Sequence, residues 1–178
     1  MTLEETTERP VGRRAATPEL VQAAAVVVLC ALVGAGCGWL WFTVWDPQVG
    51  VVLDGVWYLD ERGLRGDFAA TGWFVVIGAV AGVVLGLVCA LFLSRSELVT
   101  LGALIVGTAL ATYLMWQVGV HLGPDDPREL AEAAQDGDRL PAAIEVSGRS
   151  PFLVLPGAAL AALALVYATV PRRGRTRG

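Results

Sequence analysis

The one histidine in this 178-residue chain, His121, stands four residues ahead of Asp125, with Asp126 next. An imidazole one helical turn from a carboxylate can titrate near neutral pH or enter a metal site. More acids follow at Glu129, Glu132, Asp136 and Asp138, and together they could attract a divalent cation. Their spacing is not that of a calcium-binding loop, and one imidazole brings one nitrogen ligand. His121 therefore reads as a residue at a helix end, and the acids as a solvated face. No metal or cofactor is expected.

A second polar set lies inside an otherwise apolar stretch: Thr100, Thr108, Thr112, Tyr113 and Gln117. On a helix Thr108 and Thr112 share one face, and Tyr113 and Gln117 share nearly the opposite one. Such groups could line a solute path, but in apolar helices they commonly bond to backbone or to a neighbouring helix. Cys30, Cys37 and Cys89 match no metal spacing and read as small apolar fillers. The chain holds no phosphate-binding loop, dinucleotide fingerprint, HExxH or nucleophile elbow. Gly34, Gly36 and Gly38 alternate as in a Gly-rich loop, yet they fall within a helical stretch. The basic clusters are short and border apolar runs, so no nucleic acid is expected as a partner.

Hydropathy sets the elements that carry these residues. The chain is 55% hydrophobic and only 17% charged, against about 25% charged in soluble domains. Four windows, 23–45, 73–93, 98–120 and 151–170, contain no Asp, Glu, Lys or Arg. At ~1.5 Å per helical residue, each is long enough for a hydrocarbon core of ~30 Å. The expected fold is an all-α membrane protein, a four-helix transmembrane bundle with the lipid bilayer as its solvent.

Its packing centre is Trp73–Leu93, where Gly78, Gly82 and Gly86 step by four and Ala90 continues the row. A row without side chains lets another helix approach closely. Similar rows are Gly34 and Gly38, then Ala103, Gly107 and Ala111, then Gly157 and Ala161. Because such rows recur on every window, they predict intrachain packing first and an oligomer seam second. Only Ser94–Glu97 separates the second and third windows, which predicts that these two are antiparallel neighbours.

The two long loops, 46–72 and 121–150, predict a small extracytoplasmic cap. Asp54-Gly55 between β-prone runs signals a hairpin with strands near 49–53 and 56–60. Asp67 is placed to cap the second long helix. Asp126-Pro127-Arg128-Glu129 opens a short helix near 127–135, which Asp136-Gly137-Asp138 breaks. Residues 142–147 read as a strand that joins the hairpin. Within this cap Trp57, Tyr58, His121 and Asp125 are candidate partner contacts. The crowded aromatics of Trp39–Trp45 mark a membrane boundary.

Residues 1–18 form a polar, flexible tail, and 171–178 a basic one. Eight arginines against five acids fall on the side of the termini, and five against twelve, a net of −7, on the side of the long loops. Arginine excess marks the cytoplasm, so both termini are expected inside and the acidic loops outside.

Four features together make the chain similar to small actinobacterial four-span membrane proteins carrying a domain of unknown function. They are VGVVLDGVWYLD, the Gly66-Asp67-Phe68-Ala69-Ala70 entry, the SRSE turn and the Pro151-Phe152 entry. The resemblance covers roughly residues 20–170 and implies the same four-span fold, with no activity or site residue to carry over. The functional expectation is an integral, non-catalytic accessory or assembly protein of the cytoplasmic membrane. It would contact another envelope or membrane protein through its acidic cap. The alternative is an oligomeric channel or small-solute transporter.

Overall fold

The computed structural model describes residues 18–59, 61–92 and 97–169. The order of elements is α1 (Pro18–Val44), β1 (Val49–Leu53), β2 (Val56–Tyr58), α2 (Glu61–Phe92), α3 (Glu97–Leu122), α4 (Pro127–Ala131), β3 (Arg139–Pro141) and α5 (Val154–Thr169). A 3-10 turn, Ser150–Leu153, leads into α5. Among the described residues, four helices are long and apolar enough to cross a membrane. Residues 1–17, the basic tail and the turn at residues 94–96 lie outside the described residues, and Pro18, expected in the N-terminal tail, opens α1.

The start of α2 differs from expectation. It begins at Glu61, so Asp67 lies well inside the helix and is not its N-cap. Hydropathy marks where apolar surface begins, whereas helical backbone bonding continues through polar residues as readily as through apolar ones.

The arrangement of the helices also corrects the sequence reading. α1 lies along α3, and α2 lies along α5. Lesser contacts between α3 and α5 and between α1 and α2 close a four-sided bundle. α2 and α3, consecutive in the chain, touch little and face each other across a diagonal. A short connection constrains only the helix ends. Along the remaining length, packing goes to the faces whose backbones can meet.

Those faces are the glycine rows, though matched differently from the expected pairing. A Cβ built on Gly34 would land on the backbone of Ala111, and one on Gly38 on the carbonyl of Met115. Gly107 in turn receives Val27 and Cys30 of α1, and Ala103 is buried in the same core. The row on α2 faces α5, not α3. Gly82 and Gly86 meet the backbone of Leu155 and Ala159 and the methyl groups of Ala158 and Ala162. Gly78 is looser, with Leu155 Cβ 3.6 Å from its would-be Cβ. The row expected on α5 points away: Gly157 faces open space and Ala161 is exposed.

The core between the helices holds Val26, Ile77, Leu85, Leu104 and Leu163, with Cys30 and Cys89 as buried free thiols. The outward faces are equally apolar. Leu32, Val80, Phe92, Leu98 and Val106 are each more than half exposed.

Both long connections meet at one end of the bundle in a three-stranded antiparallel sheet of order β2-β1-β3. Asp54 and Gly55 both have positive φ, 53° and 73°. That is the signature of the tight turn that an Asp-Gly pair favours in a hairpin. The third strand is Arg139–Pro141 rather than 142–147. Only Ala142 continues its pairing, through its N–H to the carbonyl of Gln48 at 2.6 Å. The alternating apolar residues that read as a strand instead turn into the bundle. Ile144 is buried against Gly123, and Val146 packs on the core. α4 starts as expected, with Asp126 accepting from the N–H of Arg128 at 2.9 Å, but ends at Ala131.

Adding a side chain where backbones meet should destabilise the bundle itself. Gly82→Leu is expected to lower stability by about 1–3 kcal/mol or more through overpacking, read as a lower thermal midpoint and folded yield in detergent. Gly36→Leu, which enters open space, should leave both unchanged. A loss of association without loss of monomer stability on Gly82→Leu would reverse this assignment.

Candidate functional site

The sheet-bearing end of the bundle collects most of the specific side-chain contacts. A chain of rings runs across it from Tyr113 to Trp116, Phe152, Phe74 and Trp41, with centroid separations of 6.0, 6.1, 5.5 and 5.0 Å. These rings come from α1, α2, α3 and the 3-10 turn that leads into α5, so the cluster fixes the relative heights of the helices. Trp41 is fully buried and lies over Gly119, where a Cβ would overlap its ring. Its indole N–H donates to the carbonyl of Ala70 at 2.8 Å, joining α1 to α2. The expectation of a Trp-marked boundary thus divides by residue. Trp39 points outward, whereas Trp41 and Trp45 are buried in the protein.

The sheet has one closed and one open face. Gly50, Val52 and Trp57 point to the closed face, where Val52 is fully buried. α4 packs against the sheet, burying Pro127 and Ala131. Trp57 reaches across the central strand to donate its indole N–H to the carbonyl of Leu140 at 3.1 Å. It can do so because Gly50 lies beneath it, where any Cβ would strike the indole. Trp57 is therefore half-buried and bound within the cap, while Tyr58 is 54% exposed. On the open face stand Val49, Leu53, Val56 and Tyr58, each about half exposed.

Several of the acids are committed to internal bonds. Asp136 Oδ1 accepts from the N–H of Asp54 at 2.8 Å, tying the second loop to the hairpin turn of the first. Asp138 Oδ2 accepts from the N–H of Gln135 at 2.9 Å. Arg128 and Glu145 form an exposed ion pair at 4.0 Å, a geometry that contributes little to stability. Thr71 Oγ1 accepts from the N–H of Ser147 at 2.9 Å, seating the second loop on α2. His121 and Asp125 are both exposed, at the last turn of α3 and in the loop beyond it, and no bond joins them. Among the described residues, no three His, Cys, Asp or Glu side chains converge.

The polar groups of α3 separate into two faces, as the spacing required. Thr108 donates to the carbonyl of Leu104 at 2.6 Å and Thr112 to that of Thr108 at 2.9 Å, both buried. Tyr113 and Gln117 lie on the exposed side, with Gln117 Nε2 donating to the Tyr113 hydroxyl at 3.0 Å. The four residues therefore do not line one path within a single chain. Thr100, also buried, accepts from Gln22 Nε2 at 2.8 Å. That bond joins α1 to α3 near the end opposite the sheet. Gln22 stands one residue before the uncharged window 23–45, and nothing local marks it as the partner of a residue 78 positions away.

No protein-family model, curated protein or solved structure matches this chain.

Two substitutions test how this end is held. Trp41→Phe keeps an aromatic ring but removes the bond to Ala70, and should cost about 1–3 kcal/mol of stability in detergent. Gly50→Val should displace the Trp57 indole. Hydrogen exchange should then rise in residues 49–58 and 139–142, while α1 and α3 stay protected.

Proposed function

We propose that this is an integral protein of the cytoplasmic membrane whose sheet-bearing end is an extracytoplasmic docking cap for another envelope protein. The membrane reading is supported by four apolar helices whose outward residues are as apolar as their core. In water such a surface would drive aggregation, whereas in lipid it needs no cover. The orientation is supported by the arginines concentrated on the side of the termini. A non-catalytic role is supported by the cap acids Asp126, Asp136 and Asp138, whose carboxylates serve as caps and turn anchors.

The observation that carries the docking role is the open face of the sheet. Val49, Leu53, Val56 and Tyr58 present an apolar patch held rigidly by the closed face behind it. In sequence, the two long connections 46–72 and 121–150 carry a net charge of −7. A partner fitting this surface presents apolar side chains flanked by Lys or Arg.

Photo-crosslinking residues placed at Val56 and Tyr58 in cells should give one discrete adduct. Leu53→Asp should diminish that adduct several-fold without changing folded yield. Absence of any adduct at both positions, in chain that fractionates with membranes, would overturn the docking role. Chain released from membranes by alkaline washing would overturn the membrane reading.

A further inference from the structure

Resting on the reading of α3 as a membrane-spanning helix, we propose that the protein forms a parallel two-fold dimer through the exposed face of α3, centred on Tyr113 and Gln117. The face is defined by spacing. Gly102, Val106, Ala109, Tyr113, Gln117 and Val120 recur at intervals of three and four, close to the seam of a coiled coil. All six are exposed in the single chain. The glycine row of α2 is already occupied by α5, so the seam lies elsewhere, and α3 supplies it.

The polar pair is what separates this face from the other lipid-facing surfaces. Gln117 lies about seven residues beyond the midpoint of α3, or ~11 Å at ~1.5 Å per residue, level with the outward Trp39 near the edge of a hydrocarbon core of ~15 Å half-thickness. Helical side chains lean toward the N-terminus, which on α3 is away from the capped end. Its bond to Tyr113, one turn deeper, holds the amide toward the membrane centre rather than toward water. That one bond leaves the second amide N–H, the Oε1 and the phenolic hydrogen without a partner among the described residues. In hydrocarbon each such group is costly to leave unmade.

A second copy relieves all of this at once. Both copies insert with the same orientation, so a two-fold axis along the membrane normal brings Gln117 to the same depth as Gln117 of the partner subunit. An amide is complementary in charge to itself under that rotation. The N–H of each donates to the Oε1 of the other, as a buried Asn pair does in a parallel coiled coil. Gly102 and Ala109 are small enough to let the two helices approach. An unrelated partner would have to bring an amide to the same depth by coincidence.

The test uses the full chain, purified, fluorescently labelled and reconstituted in phosphatidylcholine–phosphatidylglycerol vesicles over a series of protein-to-lipid ratios. Energy transfer and two-step photobleaching should report a dimer. Gln117→Leu should weaken association about tenfold. Val106→Trp, which blocks the seam sterically, should weaken it at least as much. Val80→Trp, on the exposed face of α2, should leave it unchanged. A wild-type chain that stays monomeric across the series overturns the dimer. So does one whose association is insensitive to both α3 variants, or one that Val80→Trp disrupts. Failure of the purified chain to float with vesicles overturns the membrane reading instead, and the dimer with it.

Discussion

Backbone meets backbone at a few glycines, and the arrangement of the bundle follows from those meetings. Gly34 and Gly38 admit the main chain of α3, and Gly82 and Gly86 admit the main chain of α5. Under the membrane reading, apolar helices surrounded by lipid have no hydrophobic gain on meeting, so dispersion contacts at short range are what remain. A contact that needs a missing Cβ can form at only a few places along a helix. Each row therefore fixes both which helix is the neighbour and at what height. This gives two closely packed pairs, α1 with α3 and α2 with α5, each made of helices running in the same direction. The antiparallel contacts between the pairs are lighter.

With heights fixed in this way, the long loops are delivered to one end. There the contacts change character. Rings interlock across the helices, the Trp41 indole bonds to Ala70, and Asp136 ties the hairpin turn to the second loop. The sheet is small, and a hairpin of this size is marginal by itself. It holds because β3 pairs with β1 and Trp57 bonds across the central strand to Leu140. Gly50 has the same physical role in the cap that Gly34 and Gly82 have in the bundle. A missing side chain lets another group lie flat against the main chain.

Rigidity at that end gives the open face of the sheet its meaning under the docking reading. Val49, Leu53, Val56 and Tyr58 are displayed by strands whose other face is closed, so ordering them on a partner would cost little entropy. The exposed Tyr113–Gln117 pair lies apart from that face, on the flank of α3. The two surfaces do not overlap in sequence, and one can be altered without touching the other.

The sequence by itself determined the four long apolar helices, the Asp54-Gly55 hairpin, the start of α4 and the two-faced polarity of α3. All of these are set by neighbours within a few residues: hydropathy runs, turn conformations that need positive φ, a cap with its following proline, and the 3.6-residue period. It also marked Gly34, Gly82 and Gly86 as close-packing sites, since small residues four apart share a face. Only the tertiary structure decided which row meets which. The Ser94–Glu97 connection favoured α2 beside α3, yet complementarity along the whole helix length placed α5 there. Likewise nothing local distinguishes buried Trp41 from outward Trp39, or Ile144 as a plug from Ile144 in a strand. Those outcomes depend on whether a distant segment, Gly119 or Gly123, leaves room for the side chain. That room exists only once the helices have been brought together.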